Sequence, residues 1–359
     1  MRIAIDASQI IYGTGVSVYT RNLIENILLY DKENQYLIFG GSLRRIGELK
    51  TILSKFKAIN FSFKVFPFPP ALADIIWNRL HFFRIENLIG KIDVFHSSDW
   101  TQPPSNSFKV TTVHDVVPVK YPALSSAKLI NNQKLRLEWV RKEVDRIIVP
   151  SFSTALDLED IGFKREKIRV IPEALDSSFK PVKKREIEKV KQRLRIRGKY
   201  LLSVGVNERK NTRRIIEALE KIRAETDIQL VIVGNSFVNL PQTPGVIFTG
   251  FVSYDILPSL YSGAEALVYP SLYEGFGLPI LEAFSCKTPV VTSNLGSMAE
   301  VAGRAAVLVD PYDVYSIYEG IRKAILNRSK LIKLGLKRLK NYSWERTAKE
   351  TLKVYLESS

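Results

Sequence analysis

The chain has 359 residues, 45% of them hydrophobic and 25% charged, and carries a formal net charge of +16. That balance excludes a disordered chain and leaves enough apolar surface for two domains. The single cysteine, Cys286, excludes an intrachain disulfide and suits a reducing compartment, and no run approaches the roughly 18 apolar residues of a spanning helix.

The opening MRIAIDASQI lacks the charged-then-apolar layout of a signal peptide and reads as a first strand. Strand candidates follow as YLIFG, VFHSS, KVTTVHD, RIIVPS and RVIPEA. Beyond a basic stretch come KYLLSVGV, QLVIVGN, VIFTGFV, ALVYPS, PVVTSN and AAVLVDP. Helical periodicity fills the gaps, in SVYTRNLIENILLY, LADIIWNRLHFFRIENLIG, AKLINNQKLRLEWVRKEVD, STALDLEDIG, TRRIIEALEKIRA, GLPILEAFSC and VYSIYEGIRKAILN. Strands alternating with helices predict parallel sheets covered on both faces. The pattern occurs twice, so the expected fold is α/β, with two doubly wound Rossmann-like domains facing across a cleft and joined by a linker near 172–198. The boundaries read 1–173, 174–341, and a last helix over 342–359 that packs on the second domain or crosses back to the first. Ligands in such sheets bind at the carboxyl ends of the strands.

Half of the net charge lies in Lys180–Lys199, with ten basic and two acidic residues. A solvated helix face is the plainest reading, then an anionic membrane surface or substrate, then nucleic acid. No motif interleaves aromatics with basic residues as a nucleic-acid reader would, so no nucleic-acid partner is expected. No cluster has metal-ligand spacing.

Four places carry candidate chemistry. Gly13-Thr14-Gly15 lies between the first strand and its helix, where small residues admit a ligand and the helix terminus favours an anion; a tight turn explains it equally well. His114-Asp115 ends a β-branched strand, and His96, near Asp99 and Trp100, ends another; either histidine is a proton carrier or a core residue. Arg209-Lys210 precedes a helix that Asn211 or Thr212 can cap, a poor place for two cations unless an anion sits there. Finally, LYEGFGLPILEA sets Glu274 and Glu282 around Gly275, Gly277 and Pro279. Read alone, each glutamate is a solvated charge. The amides of Phe276, Gly277 and Leu278 would be free donors at a helix start. A diphosphate flanked by two hydroxyl-rich rings uses all of these groups together, and a nucleotide sugar is such a ligand.

In their order and spacing, the Gly-x-Gly turn, the His-Asp strand end, the Arg-Lys loop and the Glu-x7-Glu segment resemble those of retaining glycosyltransferases of family 4, which have the two-domain fold called GT-B. The similarity covers most of the chain. It implies that Glu274 holds hydroxyls of the donor sugar and Glu282 those of the ribose, with Arg209 and Lys210 on the diphosphate. It further implies His114 beside the anomeric carbon, Gly15 under the phosphates, and the main chain of Val252 against the base. Val206 and Glu208 stand where many members have Arg or Thr, and Pro. The implied reaction is front-face substitution without a metal or cofactor, moving a hexose, with mannose from GDP-mannose as the first guess, to a glycan or polyprenyl-linked acceptor. The first domain would hold the acceptor, with His96 and Asp115 on that side. LADIIWNRLHFFRIENL, with Trp77, Phe82, Phe83, Arg79 and Arg84, is a core helix or a docking face for a lipid-linked acceptor. A cytoplasmic enzyme follows, with the basic stretch free to meet the inner membrane face. A nucleotide-sugar 2-epimerase of the same fold and a non-enzymatic polyanion binder are the alternatives.

Overall fold

The computed structural model of the chain describes residues 1–236 and 243–358. They form two compact units, one of Met1–Glu173 with Trp344–Ser359, the other of Ala174–Ser343.

The first unit is a parallel sheet of β1 (Arg2–Asp6), β2 (Gln35–Gly41), β3 (Phe61–Phe66), β4 (Val94–Ser97), β5 (Phe108–Thr112), β6 (Arg146–Val149) and β7 (Ile168–Val170). The order is β3-β2-β1-β4-β5-β6-β7. β3 is absent from the predicted strands. FSFKVF has one β-branched residue, and it lies at the sheet edge with alternate residues exposed. Its period of two was the available signal.

The long helix predicted over LADIIWNRLHFFRIENLIG is broken. A turn at Pro70–Ala73 runs into a π-helical segment, Asp74–Leu80, and the next helix is only Glu86–Ile89. His81 ends the π-helical segment in the left-handed region, at φ 50°. Its Nδ1 lies 2.7 Å from Trp77 O and its ring stacks on Trp139 at 3.6 Å. Packing therefore overrides helical periodicity here: Trp77 is core, with its Nε1 bonded to Phe83 O, while Phe82 is exposed.

The Trp344–Leu356 helix belongs to the first unit. It buries Ala348, Val354 and Tyr355 in the same core as Tyr19, Leu23 and Ile27 of the Gly15–Tyr30 helix. Thr347 Oγ1 donates to Pro172 O at 2.8 Å, and Glu357 pairs with Arg169 at 2.6 Å.

The second unit holds β8 (Lys199–Val206), β9 (Ile228–Ser236), β10 (Val246–Gly250), β11 (Ala266–Tyr269), β12 (Val290–Ser293) and β13 (Val307–Val309), parallel and in the order β10-β9-β8-β11-β12-β13. β11 and β12 are buried throughout, as strands covered on both faces must be. Half of the basic stretch, read first as a solvated helix face, is a helix of this unit, Lys184–Arg193. Val190 and Leu194 pack on the core while Lys183, Lys184, Arg185, Lys189 and Arg193 stay exposed.

Both sheets reverse direction of winding once, between β1 and β4 and between β8 and β11. At such a switch point the connections leave in opposite directions and open a crevice at the carboxyl ends.

Candidate active site

In the second unit the crevice lies between the ends of β8 and β11. After β8, Asn207 Oδ1 accepts from Lys210 N at 2.9 Å and closes a single turn. Asn211, at φ 62°, donates from Nδ2 to Pro270 O at 3.1 Å and Pro311 O at 2.6 Å, fixing the start of the Thr212–Arg223 helix. Leu272 N donates to Arg209 O at 2.8 Å and ties the two loops together.

This geometry joins Arg209 and Lys210, expected on the diphosphate, to Glu274, expected on sugar hydroxyls. Arg209 Nη1 donates to Glu274 Oε2 at 2.5 Å, and Lys210 Nζ to Glu274 Oε1 at 2.6 Å. Lys210 Nζ also reaches Tyr269 Oη at 2.5 Å. Glu274 is 8% exposed, and a carboxylate so buried is tolerable only when paired. Burial pushes its pKa up, but Lys210 and Arg209 more than offset this and hold the carboxyl below its ordinary range. Burial lowers the pKa of Lys210, a shift that Glu274 opposes and Arg209 reinforces.

Gly205 was not among the sequence candidates. It sits at φ +90°, and a Cβ there would lie 2.8 Å from Lys210 Cε and 3.0 Å from Cγ. Its signal was a glycine at the end of the strand YLLSVGV. Gly205→Ala is expected to lose about 1–3 kcal/mol through the strained backbone and to displace Lys210. Thermal unfolding and turnover of the variant check this. Wild-type turnover with a lowered melting point would show that Lys210 does not need that seat.

Glu282 has the opposite environment. It lies on the Leu278–Ser285 helix, 8% exposed, and accepts from Tyr261 Oη at 2.5 Å. Burial drives its pKa up to about 7, against the Tyr261 hydrogen bond and the charge of Lys210. Gly277 precedes the helix at φ 105°, and Pro279 occupies its first turn. Ser297 Oγ donates to Glu274 O at 2.7 Å and anchors the loop. Gly275, Phe276 and Gly277 are buried and Leu278 half-buried, so the amides of the turn gather at the helix start. The Val252 side chain belongs to the core of this unit.

In the first unit His114 follows β5. Its Nδ1 lies 2.9 Å from Glu173 Oε1, its Nε2 is buried without a partner, and its ring meets the edge of Tyr19 at 4.7 Å. Burial opposes protonation, but the bond and charge of Glu173, with Asp99 and Asp115, carry the pKa above its ordinary value. Glu173 was not singled out, although it is the penultimate residue of the predicted strand RVIPEA. His96 is a core residue. It lies 2.6 Å from Tyr355 Oη and 2.8 Å from Thr112 Oγ1, and burial drives its pKa down to about 3. Both ring nitrogens are thus engaged and none remains for an acceptor. Asp115 Oδ1 accepts from Val117 N at 3.0 Å. Gly13 to Gly15 are exposed, with Gly13 at φ 68°. Thr14 caps the Gly15–Tyr30 helix in a reciprocal box with Ser17.

Residues 14–179 match the family model described as Glycosyltransferase Family 4, and residues 184–344 that described as Glycosyl transferases group 1. Over 280 residues, 73% of this chain and 74% of the relative, the sequence is 30% identical to the O-antigen chain mannosyltransferase B of Escherichia coli. The chain belongs to glycosyltransferase family 4. Among solved structures, the transferase superposes on sucrose-phosphate synthase from Thermosynechococcus elongatus with a TM-score of 0.75 at 19% identity, over 99% of this chain and 98% of that one. The Anabaena protein HepE in complex with UDP-glucose gives 0.70 at 17% identity, over 100% of both chains. At these identities the likeness shows the fold, which is GT-B. A glycosyltransferase is an enzyme, and the non-enzymatic and epimerase alternatives are set aside.

Proposed function

We propose that this glycosyltransferase moves mannose from GDP-mannose to a glycan acceptor with retention of configuration. The observation that carries the donor site is the Arg209–Lys210–Glu274 cluster at the switch point of the second sheet. The similarity to the Escherichia coli mannosyltransferase supports the choice of mannose. In this reading the donor diphosphate lies against Arg209, Lys210 and the start of the Leu278–Ser285 helix. Fixed cations and free amides there stabilise the charge that develops as the sugar–phosphate bond breaks. The leaving diphosphate takes the acceptor proton. Two fixed cations fill the place a divalent metal would otherwise take. Glu274 has two tasks: it holds both cations in position and offers its remaining lone pairs to sugar hydroxyls. Glu282 accepts from the ribose, and the main chain of Val252 meets the base. In the first unit His114, oriented by Glu173, keeps Nε2 without a partner. No described helix is long and apolar enough to cross a membrane. Peripheral contact of a cytoplasmic enzyme with an anionic membrane, through the exposed lysines and arginines of the Lys184–Arg193 helix, completes the proposal.

Thermal unfolding with GDP, UDP, ADP and CMP, with no metal added, tests the donor site. A ligand at 100 times its Kd stabilises by about 2.7 kcal/mol. GDP is expected to raise the melting temperature most, and Glu282→Ala to weaken the effect. No shift from any of the four would overturn the assignment.

The Glu282 pKa yields a pH signature. Its folded value of about 7 lies above the ordinary 4.5, so the folded chain keeps a proton that the unfolded chain releases. The resulting stability is complete below 4.5 and is lost as pH rises through 7. Ribose hydroxyls need the ionised acceptor, so GDP affinity should rise over the interval in which stability falls. Both trends should be blunted in Glu282→Gln, measured by unfolding and by GDP titration from pH 5.5 to 8. Parallel profiles for the two proteins would remove Glu282 from the ribose.

A further inference from the structure

Tyr269 is a buried titratable group with no task in the reaction proposed above. It is the last residue of β11, it is 1% exposed, and its carbonyl accepts from Thr292 Oγ1 at 2.8 Å. β11 is paired on both sides, with β8 and with β12, so the phenol stands on a strand in the interior of the sheet. Lys210 has weaker support of its own. It ends the single turn Glu208–Lys210, and its ammonium rides on a long flexible stem. A cation that stabilises a developing charge must be in place before the charge appears. A flexible stem on a turn does not supply that by itself.

The directions of the hydrogen bonds show what does. An ammonium donates and never accepts. In the 2.5 Å contact between Lys210 Nζ and Tyr269 Oη the phenol oxygen is therefore the acceptor. Burial and the charge of Glu274 hold the phenol pKa well above its ordinary value, so Tyr269 keeps its proton and gives it to Glu274. Lys210 Nζ closes the triangle by donating to Glu274 Oε1 at 2.6 Å. Each bond in the triangle has one donor and one acceptor. It commits two of the three ammonium N–H groups and leaves one for a ligand. The charge of Lys210 needs this support. Burial lowers its pKa and Arg209 reinforces the shift, while Glu274 and Glu282 oppose it. A bond accepted from the charged amine favours the charged form.

We propose that Tyr269 is a positioning residue of the transferase, whose hydroxyl fixes the Lys210 ammonium for the donor diphosphate and sustains its charge. The place of Lys210 on the diphosphate rests on the transferase reading above; the hold of Tyr269 on Lys210 does not. Tyr269→Phe removes Oη and keeps the ring in the core. Misplacement of a fixed group should lower kcat by about 10- to 100-fold. KM for GDP-mannose should stay within about threefold, because the lost support matters most as charge develops. The alkaline limb of kcat, set by loss of the Lys210 proton, should move to lower pH, since burial still disfavours the ammonium and one acceptor for it is gone. A kcat within about threefold of the unsubstituted value overturns the proposal. So does a lower kcat with the alkaline limb unmoved, which is what a loosened core alone would give. The charge of Lys210 is also read without turnover, in protein whose lysines carry carbon-13 at Cε. The Lys210 resonance is the one absent from Lys210→Arg, and its titration midpoint should be lower in Tyr269→Phe. Equal midpoints in the two proteins overturn the hold of Tyr269 on Lys210. Differing midpoints in a protein that neither transfers nor hydrolyses the sugar of GDP-mannose would confirm that hold and strike the transferase reading, and the positioning role with it.

Discussion

Lys210→Ala should abolish sugar transfer and also destabilise the second unit, and the two losses should separate when Glu274 is changed with it. The ammonium is bonded to Glu274 and Tyr269 in a buried setting. Removing it leaves Glu274 paired with Arg209 and hydrogen-bonded to Tyr269. Breaking a buried pair typically costs about 3–5 kcal/mol. Because Arg209 remains, the lower end is expected, or roughly 6–10 °C in melting temperature for a unit of this size. Loss of one fixed donor to a developing anion typically reduces turnover by about 100- to 1,000-fold. In Lys210→Ala/Glu274→Gln the unpaired charge is gone, so most of the stability should return while turnover stays lost. The buried pair makes Lys210 matter to stability and to turnover, and Glu274→Gln alone, measured beside the double variant, shows how much of the lost turnover belongs to Glu274. Recovery of transfer in the double variant would assign Lys210 a purely structural role.

Arg136→Ala should be the most damaging single substitution in the first unit. Arg136 is fully buried. Its Nη2 donates to Thr111 Oγ1 at 2.8 Å and to Thr112 O at 3.1 Å, and its Nη1 pairs with Asp99 at 3.1 Å. Thr111 Oγ1 also meets Ser97 Oγ at 2.8 Å, and Ser97 donates to Gln102 at 2.7 Å. One guanidinium thus ties the ends of β4 and β5 to the loop bearing Trp100. Truncation would open a cavity and strand Asp99, whose pKa burial already pushes up against the pull of Arg136. A loss of about 3–5 kcal/mol is expected, read by thermal unfolding. Arg136→Lys should recover only a minor part, since an ammonium cannot span both the strand and Asp99 as the planar fork does. A melting point within a degree of the unsubstituted protein for Arg136→Ala would show that this network does not hold the strand ends together. GDP binding in the second unit should survive the change, which separates a local defect from general unfolding.

The legible parts of this protein were those encoded by neighbours in the chain. The twelve predicted strands fall on strands of the two sheets because buried parallel strands read as short apolar, β-branched runs. The helix start at Gly277–Pro279 was legible because glycine and proline restrict their own backbone angles. The edge strand β3 and the break at His81 were missed because a tertiary contact decides each: pairing to β2 in one case, stacking on Trp139 in the other. The site divides in the same way. Sequence named Arg209, Lys210 and His114 just beyond recognisable strands, and Glu274 and Glu282 on either side of the recognisable helix start at Gly277–Pro279. It did not show that Glu274 pairs with cations 64 and 65 residues away, or that Glu173 meets His114 across 59 residues. Nor did it show that His96 is closed off by Tyr355 from 259 residues further on. By itself, then, the sequence determined two parallel α/β units and the residue types waiting at their strand ends. Tertiary structure alone decided which of those residues touch, because strand order brings β11 beside β8 and β4 beside β1, and no local periodicity records that order.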